Sequence, residues 1–123
     1  MNEILNKSTV EIVACDETIT IQSNETSVKK LELRVVKTAG CNITAVGHHI
    51  NYCVSIRNES GVELYDLLFR DILDPHTSFV VGSFTVGGVP RIPEFQNNQL
   101  TYMINRLDHD QTVLICFRVR VDS

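Results

Sequence analysis

Apolar side chains recur at every second position over several stretches of this chain, and that period is the one an extended strand presents to a core. Near the C-terminus Val113, Ile115, Phe117, Val119 and Val121 alternate with Leu114, Cys116, Arg118 and Arg120. One face of this segment is apolar and the other mostly polar. HHINYCVSIRN, residues 48–58, behaves alike, with Ile50, Tyr52, Val54 and Ile56 on one side and Asn51, Cys53, Ser55 and Arg57 on the other. Further segments rich in Val, Ile, Thr, Tyr and Phe predict strands at about 8–14, 18–22, 30–37, 62–70, 78–86 and 99–104. Asn58-Glu59-Ser60-Gly61, Asp74-Pro75 and Gly87-Gly88 read as turns between them. Helical periodicity is weak throughout. Some eight short strands at this spacing predict an all-β fold, an immunoglobulin-like antiparallel β-sandwich.

The prolines, Pro75, Pro90 and Pro93, fall at turns or in the segment 87–98, which is expected to be the longest loop. The polar stretch Ser23-Asn24-Glu25-Thr26-Ser27 is the one candidate linker. It divides an N-terminal hairpin, residues 1–24, from a core domain, residues 25–123.

Composition narrows the function more than the fold. A chain of 123 residues is one domain long and can bury roughly two-thirds of its unfolded surface. With 43% hydrophobic and 21% charged residues, it has the balance of a globular protein. The net charge is -4 and the eleven Lys and Arg are scattered, so there is no basic stripe to neutralise a phosphate backbone and nucleic acid is not an expected partner. The first residues, MNEILNKSTVEIVACDE, contain no apolar run behind a basic start, and no signal peptide is expected in the chain as given. No stretch of about 20 apolar residues suggests insertion in a bilayer. An intracellular protein and a mature form of an exported one both remain open.

The four cysteines, Cys15, Cys41, Cys53 and Cys116, lack the close spacing of a zinc or redox motif. Their even number permits two disulfides. Cys53 and Cys116 take the outward phase of their strands, so a bond through the middle of the sandwich is not expected and any role they have is lateral. Lys37 is in phase with Leu31, Leu33 and Val35, which places an amine at the edge of the core, where a buried lysine needs a partner. Asp71 is the expected one. A salt bridge with the ammonium reaching outward is the first reading of this pair, and an isopeptide cross-link of the kind some surface-protein sandwiches carry is the second. His48 and His49 are strand neighbours that point to opposite faces. Asp108-His109-Asp110 reads as a solvated turn rather than a metal site. No nucleophile beside a base, no carboxylate pair and no phosphate loop stands out, so neither catalysis nor a cofactor is expected.

From Leu31 onward the order of motifs resembles a bacterial surface repeat family catalogued as domain of unknown function 11, found in tandem arrays on large exported proteins. A strand ending in Lys37 is followed by Gly47, then by INYCVSIRN with its closing Asn58. LLFRDILDPHTSFVVGSFTVGG follows, in which Asp71, Phe79, Gly82-Ser83 and Gly87 stand where the family has Asp, an aromatic residue, Gly-Ser and Gly. NNQLTYMINRLDHDQTVLICFRVRV matches the family's last pair of core strands. His48 and Asp108-His109-Asp110 depart from the pattern, in place of an acidic residue and a Gly. Family members continue into an Asn-x-small-x-Val strand and a second strand ending in Ser-Asn. This sequence has Asn6, Ser8 and Val10, then TITIQSN ending at Ser23-Asn24, at its front instead. It therefore resembles one repeat whose last two strands precede its first.

A sandwich lacking two strands exposes an unpaired edge and an open core. The hairpin can close its own domain or dock into the next molecule, and the second arrangement, head-to-tail, propagates into a filament. The expected partner is then another copy of the chain, with Val10, Ile12, Ala14, Ile19 and Ile21 forming the strand-exchange interface. The resemblance also implies that Cys15 runs beside the strand bearing Cys116, as a candidate inter-subunit disulfide. The resulting expectation is a non-enzymatic structural subunit of a bacterial surface fibre, appendage or layer, outside the cell or on a spore. The competing expectation is an adhesin or ligand-binding module using Arg91, Ile92, Phe95 and Gln96 of the 87–98 loop.

Overall fold

The computed structural model describes residues 7–14, 17–20, 31–40 and 45–122, with side chains from Leu31 onward. It is an all-β sandwich of two antiparallel sheets. The hairpin is β1 (Lys7–Ala14) and β2 (Glu17–Thr20), and the core domain opens with β3 (Leu33–Ala39) and β4 (His49–Asn58). β5 (Leu64–Ile72) is followed by the short strands β6 (Thr77–Phe79), β7 (Thr85–Val86), β8 (Val89–Pro90) and β9 (Glu94–Gln96). β10 (Gln99–Leu107) and β11 (Thr112–Val121) end the chain. One sheet has the order β2-β1-β5-β10-β9, and the other β3-β4-β11-β7-β8 with β6 also on β11.

The inward residues of the two long central strands are those their alternation predicts: Ile50, Tyr52, Val54 and Ile56 on β4, and Ile115, Phe117, Val119 and Val121 on β11, are buried. Facing them from the other sheet are Leu64, Leu67 and Phe69 of β5 and Leu100, Ile104 and Leu107 of β10. Along β5 and β10 the inward phase changes between Leu64 and Leu67 and between Ile104 and Leu107, yet the strands keep one register on both sides of the change. Asp66, with a positive φ of 55°, absorbs it on β5.

Eleven strands are present among the described residues rather than about eight. The predicted strand 78–86 is two strands, because both β6 and β7 pair with β11 but residues 80–84 bulge between them. Gly82 turns there with φ 88°, and the Ser83 hydroxyl donates to the Val80 carbonyl. The excursion returns Phe84 to the centre of the core, where its ring meets those of Phe69, Tyr102 and Phe117. The predicted loop 87–98 is not all loop. Gly87-Gly88 and Asn97-Asn98, all with positive φ, form the two-residue turns of the hairpins β7–β8 and β9–β10, the conformation that tight hairpins favour and that Gly and Asn adopt most easily.

Asn58 closes β4 and is fully buried. Its side-chain amide donates to the carbonyls of Val62 and Leu107, and its side-chain oxygen accepts from the Ser60 backbone N–H. The Asn-Glu-Ser-Gly turn is thereby tied to β10.

Candidate functional site

Three features of the fold carry candidate chemistry: the joint between hairpin and core, an ion pair between the sheets, and a disulfide on one outer face.

At the joint, β1 lies antiparallel to β5 of the same chain, with Ser8 opposite Asp71, Val10 opposite Phe69 and Ile12 opposite Leu67. Phe69, Leu67 and Asp71 are the fully buried residues of β5, so Val10 and Ile12 hold the register positions of the core row. Ile19 of β2 is opposite Ile12, and Ala14 is opposite Glu17 at the end of the hairpin. Among the described residues, β1 has no strand neighbour other than β2 and β5. Ile21, expected in the same interface, lies outside the described residues, as does Cys15.

The ion pair is where the phase of β3 and β5 places it. Lys37 follows Leu33 and Val35 on the inward face of its strand, and Asp71 follows Leu67 and Phe69. Lys37 Nζ donates to Asp71 Oδ2 at 2.6 Å, bridging the two sheets, and the side chains are 18% and 0% exposed. The amine also lies over the rings of Tyr52 and Phe117, at 4.7 and 5.5 Å from their centroids. Burial lowers the Lys37 pKa, and the charge and hydrogen bond of Asp71 only partly offset it. The amine is thus held by a carboxylate in a site that disfavours its charge.

Cys53 and Cys116 are bonded to each other. They are directly opposite in the β4–β11 register, with their Cα atoms 4.1 Å apart, and take the outward phase of both strands. The bond is lateral and lies within one sheet. This corrects the expected Cys15–Cys116 cross-link on two grounds: Cys116 is already paired, and β1 borders β5 in one sheet whereas Cys116 belongs to the other. Among the described residues the hairpin adds to β5 and not to β11, and Cys15 itself lies outside them. Sequence reasoning missed the true pair. Alternation shows that each cysteine points outward, but only the register shows that they point outward side by side.

The expected binding-loop residues Arg91, Ile92, Phe95 and Gln96 are all exposed. Phe95 leans on Phe79, with ring centroids 5.5 Å apart, while Ile92 is 95% exposed and Val81 87%. The carboxylates of the Asp108-His109-Asp110 turn are engaged by Arg106 and Arg57, and the His109 ring lies 3.1 Å from the Ser60 carbonyl. Among the described residues no three His, Cys, Asp or Glu side chains are grouped to hold a metal.

Against known proteins, the chain matches no family model, no curated sequence and no solved structure.

Proposed function

We propose that this chain is a non-enzymatic structural subunit of a self-assembling bacterial surface fibre, appendage or layer, an immunoglobulin-like repeat joined head-to-tail to copies of itself by its N-terminal hairpin. One observation carries the reading: among the described residues the hairpin joins the core through its pairing with β5, in a register any second copy would reproduce. Exchanging an identical element between molecules keeps every contact of the joint and changes only which chain supplies it. A disulfide on the outer face is compatible with an oxidising, extracellular site of action.

Light scattering coupled to size-exclusion chromatography, run on the full chain over a wide concentration range and followed by electron microscopy, tests the proposal. Concentration-dependent polymers of regular repeat are expected. A strictly monomeric protein at every concentration, before and after partial unfolding and refolding, would overturn strand exchange. The monomeric binding module then takes its place, favoured by the exposed Ile92 and Val81, whose apolar side chains suit contact with a partner surface.

A further inference from the structure

The turn Asp74-Pro75-His76-Thr77 holds the chain's one Asp–Pro peptide bond, and its hydrogen bonds converge on that bond. The Asp74 backbone carbonyl accepts from the Thr77 N–H at 2.9 Å, the Thr77 hydroxyl at 2.8 Å and the Asn98 side-chain amide at 3.2 Å. A β-turn needs only the first of these. The last comes from the β9–β10 turn, where Asn98 is tied in place: its amide also donates to the Leu73 carbonyl, and its own carbonyl accepts from the Leu73 N–H. A carbonyl oxygen has two lone pairs, so three donors exceed what the amide uses and suit the oxyanion that forms when its carbon is attacked. The Asp74 carboxyl is the attacking group in reach. Asp74 is 6% exposed and Thr77 4%, and the His76 backbone N–H donates to Asp74 Oδ1 at 2.8 Å, which lays the carboxyl along the peptide bond that follows it. Pro75 makes that bond a tertiary amide, whose nitrogen leaves as a basic secondary amine.

We propose that the folded chain cleaves its own backbone between Asp74 and Pro75, with this turn as an intramolecular acyl-transfer site. In the carboxylic acid form, one Asp74 carboxyl oxygen attacks the Asp74 carbonyl carbon, and the donors of Thr77 and Asn98 hold the oxyanion. The carboxyl proton passes to the Pro75 nitrogen. The C–N bond breaks, and a cyclic anhydride is left at Asp74. Water from the solvent opens the anhydride, so that Asp74 becomes a C-terminus and Pro75 an N-terminus. The sum is hydrolysis of one peptide bond by one water, and nothing is oxidised or reduced. Ring closure within one residue draws on the effective molarities, on the order of 10⁵–10⁸ M, that well-oriented intramolecular reactions reach. The chain acts on itself once and turns over no substrate. Cys53 precedes the cut and Cys116 follows it, so their disulfide keeps the pieces joined while β4 stays paired with β11. Cleavage therefore yields a two-chain sandwich in which β5 and β6 are no longer continuous. The inference holds whether the hairpin closes its own domain or a neighbour's, because the whole turn belongs to the core domain.

Incubation of the folded full chain at about pH 5, where an ordinary aspartate still populates its acid form, followed by intact mass and by gels with and without reductant, tests the proposal. The expected result is a gain of one water in the unreduced mass, with one band on the non-reducing gel. Reductant should release two fragments, one ending at Asp74 and the other beginning at Pro75. Hydroxylamine, which captures an anhydride, should leave a hydroxamate on the Asp74 fragment. The same protein in denaturant at the same pH lacks the Thr77 and Asn98 donors, and its cleavage should be about 10²-fold slower or less detectable still. Thr77→Val and Asn98→Gly each remove one side-chain donor, and each should slow the cut by about 10²-fold in protein whose circular dichroism is unchanged. Equal rates in folded and unfolded wild type would overturn the proposal, because the ordinary lability of an Asp–Pro bond then accounts for the cut. A folded wild type that stays intact through prolonged incubation would overturn it as well, and neither reading requires a variant to fold.

Discussion

Among single residues, Asn58 and the Lys37–Asp71 pair are polar groups held inside an apolar interior, and each is tolerated for a different reason. Asn58 fits because three backbone groups meet its amide. Replacing it with alanine leaves the Leu107 carbonyl and the Ser60 N–H without their buried partner, and each buried group left unsatisfied costs about 1–3 kcal/mol. Asn58→Ala should therefore lower the unfolding free energy by about 3 kcal/mol or more in urea titrations, with Ser60, which the same amide orients, losing its fixed position. Lys37 and Asp71 fit because each answers the other's charge. Lys37→Met should cost about 3–5 kcal/mol by leaving the Asp71 carboxylate without its counter-charge, while Lys37→Met with Asp71→Leu should recover much of that loss. Denaturant unfolding of the two variants beside the wild type checks the pattern. A double variant no better than the single would show that the pair contributes net stability.

Among elements, the hairpin decides whether the sheet of β5 and β10 is covered. Without β1, the backbone of β5 becomes an open edge beside the buried side chains of Leu67 and Phe69, a template for pairing with other chains. Deletion of residues 1–22 should leave a protein that aggregates or melts well below the full chain, as read by light scattering and thermal denaturation. Register sharpens the expectation. Ile12 and Ile19 share the row of fully buried Leu67, whereas Glu11 and Thr20 share that of Leu68 on the alternate face. Removing a buried isoleucine side chain costs about 2–5 kcal/mol. Asp at position 12 or 19 should thus disrupt folding and assembly far more than Asp at 11 or 20, and equal effects would mean that the hairpin docks in another phase.

For the whole molecule, the disulfide and the inter-sheet ion pair reinforce different directions. Cys53–Cys116 ties neighbouring strands of one sheet across a sequence separation of 63 residues, and Lys37–Asp71 ties one sheet to the other. A bond closing a loop of that size restricts the unfolded chain by about 4 kcal/mol in the entropic model. The Cys53→Ser, Cys116→Ser protein should unfold about 2–4 kcal/mol more easily yet keep its far-ultraviolet circular dichroism, since the buried faces of β4 and β11 are untouched. Because Cys116 is paired within its own chain, any covalent ladder on non-reducing gels must run through Cys15 or Cys41 and should survive that double substitution. A ladder lost with Cys116 would instead show that the bond exchanges between chains.

Much of this architecture is legible without coordinates. Alternation alone determined that the protein is all-β, which faces of β4 and β11 turn inward, and that Lys37 sits in core phase, because side-chain direction in a strand is fixed by position parity. Gly87-Gly88 announced its turn through backbone freedom that other residues lack. What the sequence left open depends on which strands become neighbours. The hairpin's place on β5, the pairing of Cys53 with Cys116, the bulge that carries Phe84 into the core and the short strands inside 87–98 follow from register and sheet order. Those are set by contacts between residues far apart in the chain, since local pattern fixes the face a residue takes and not the strand it faces.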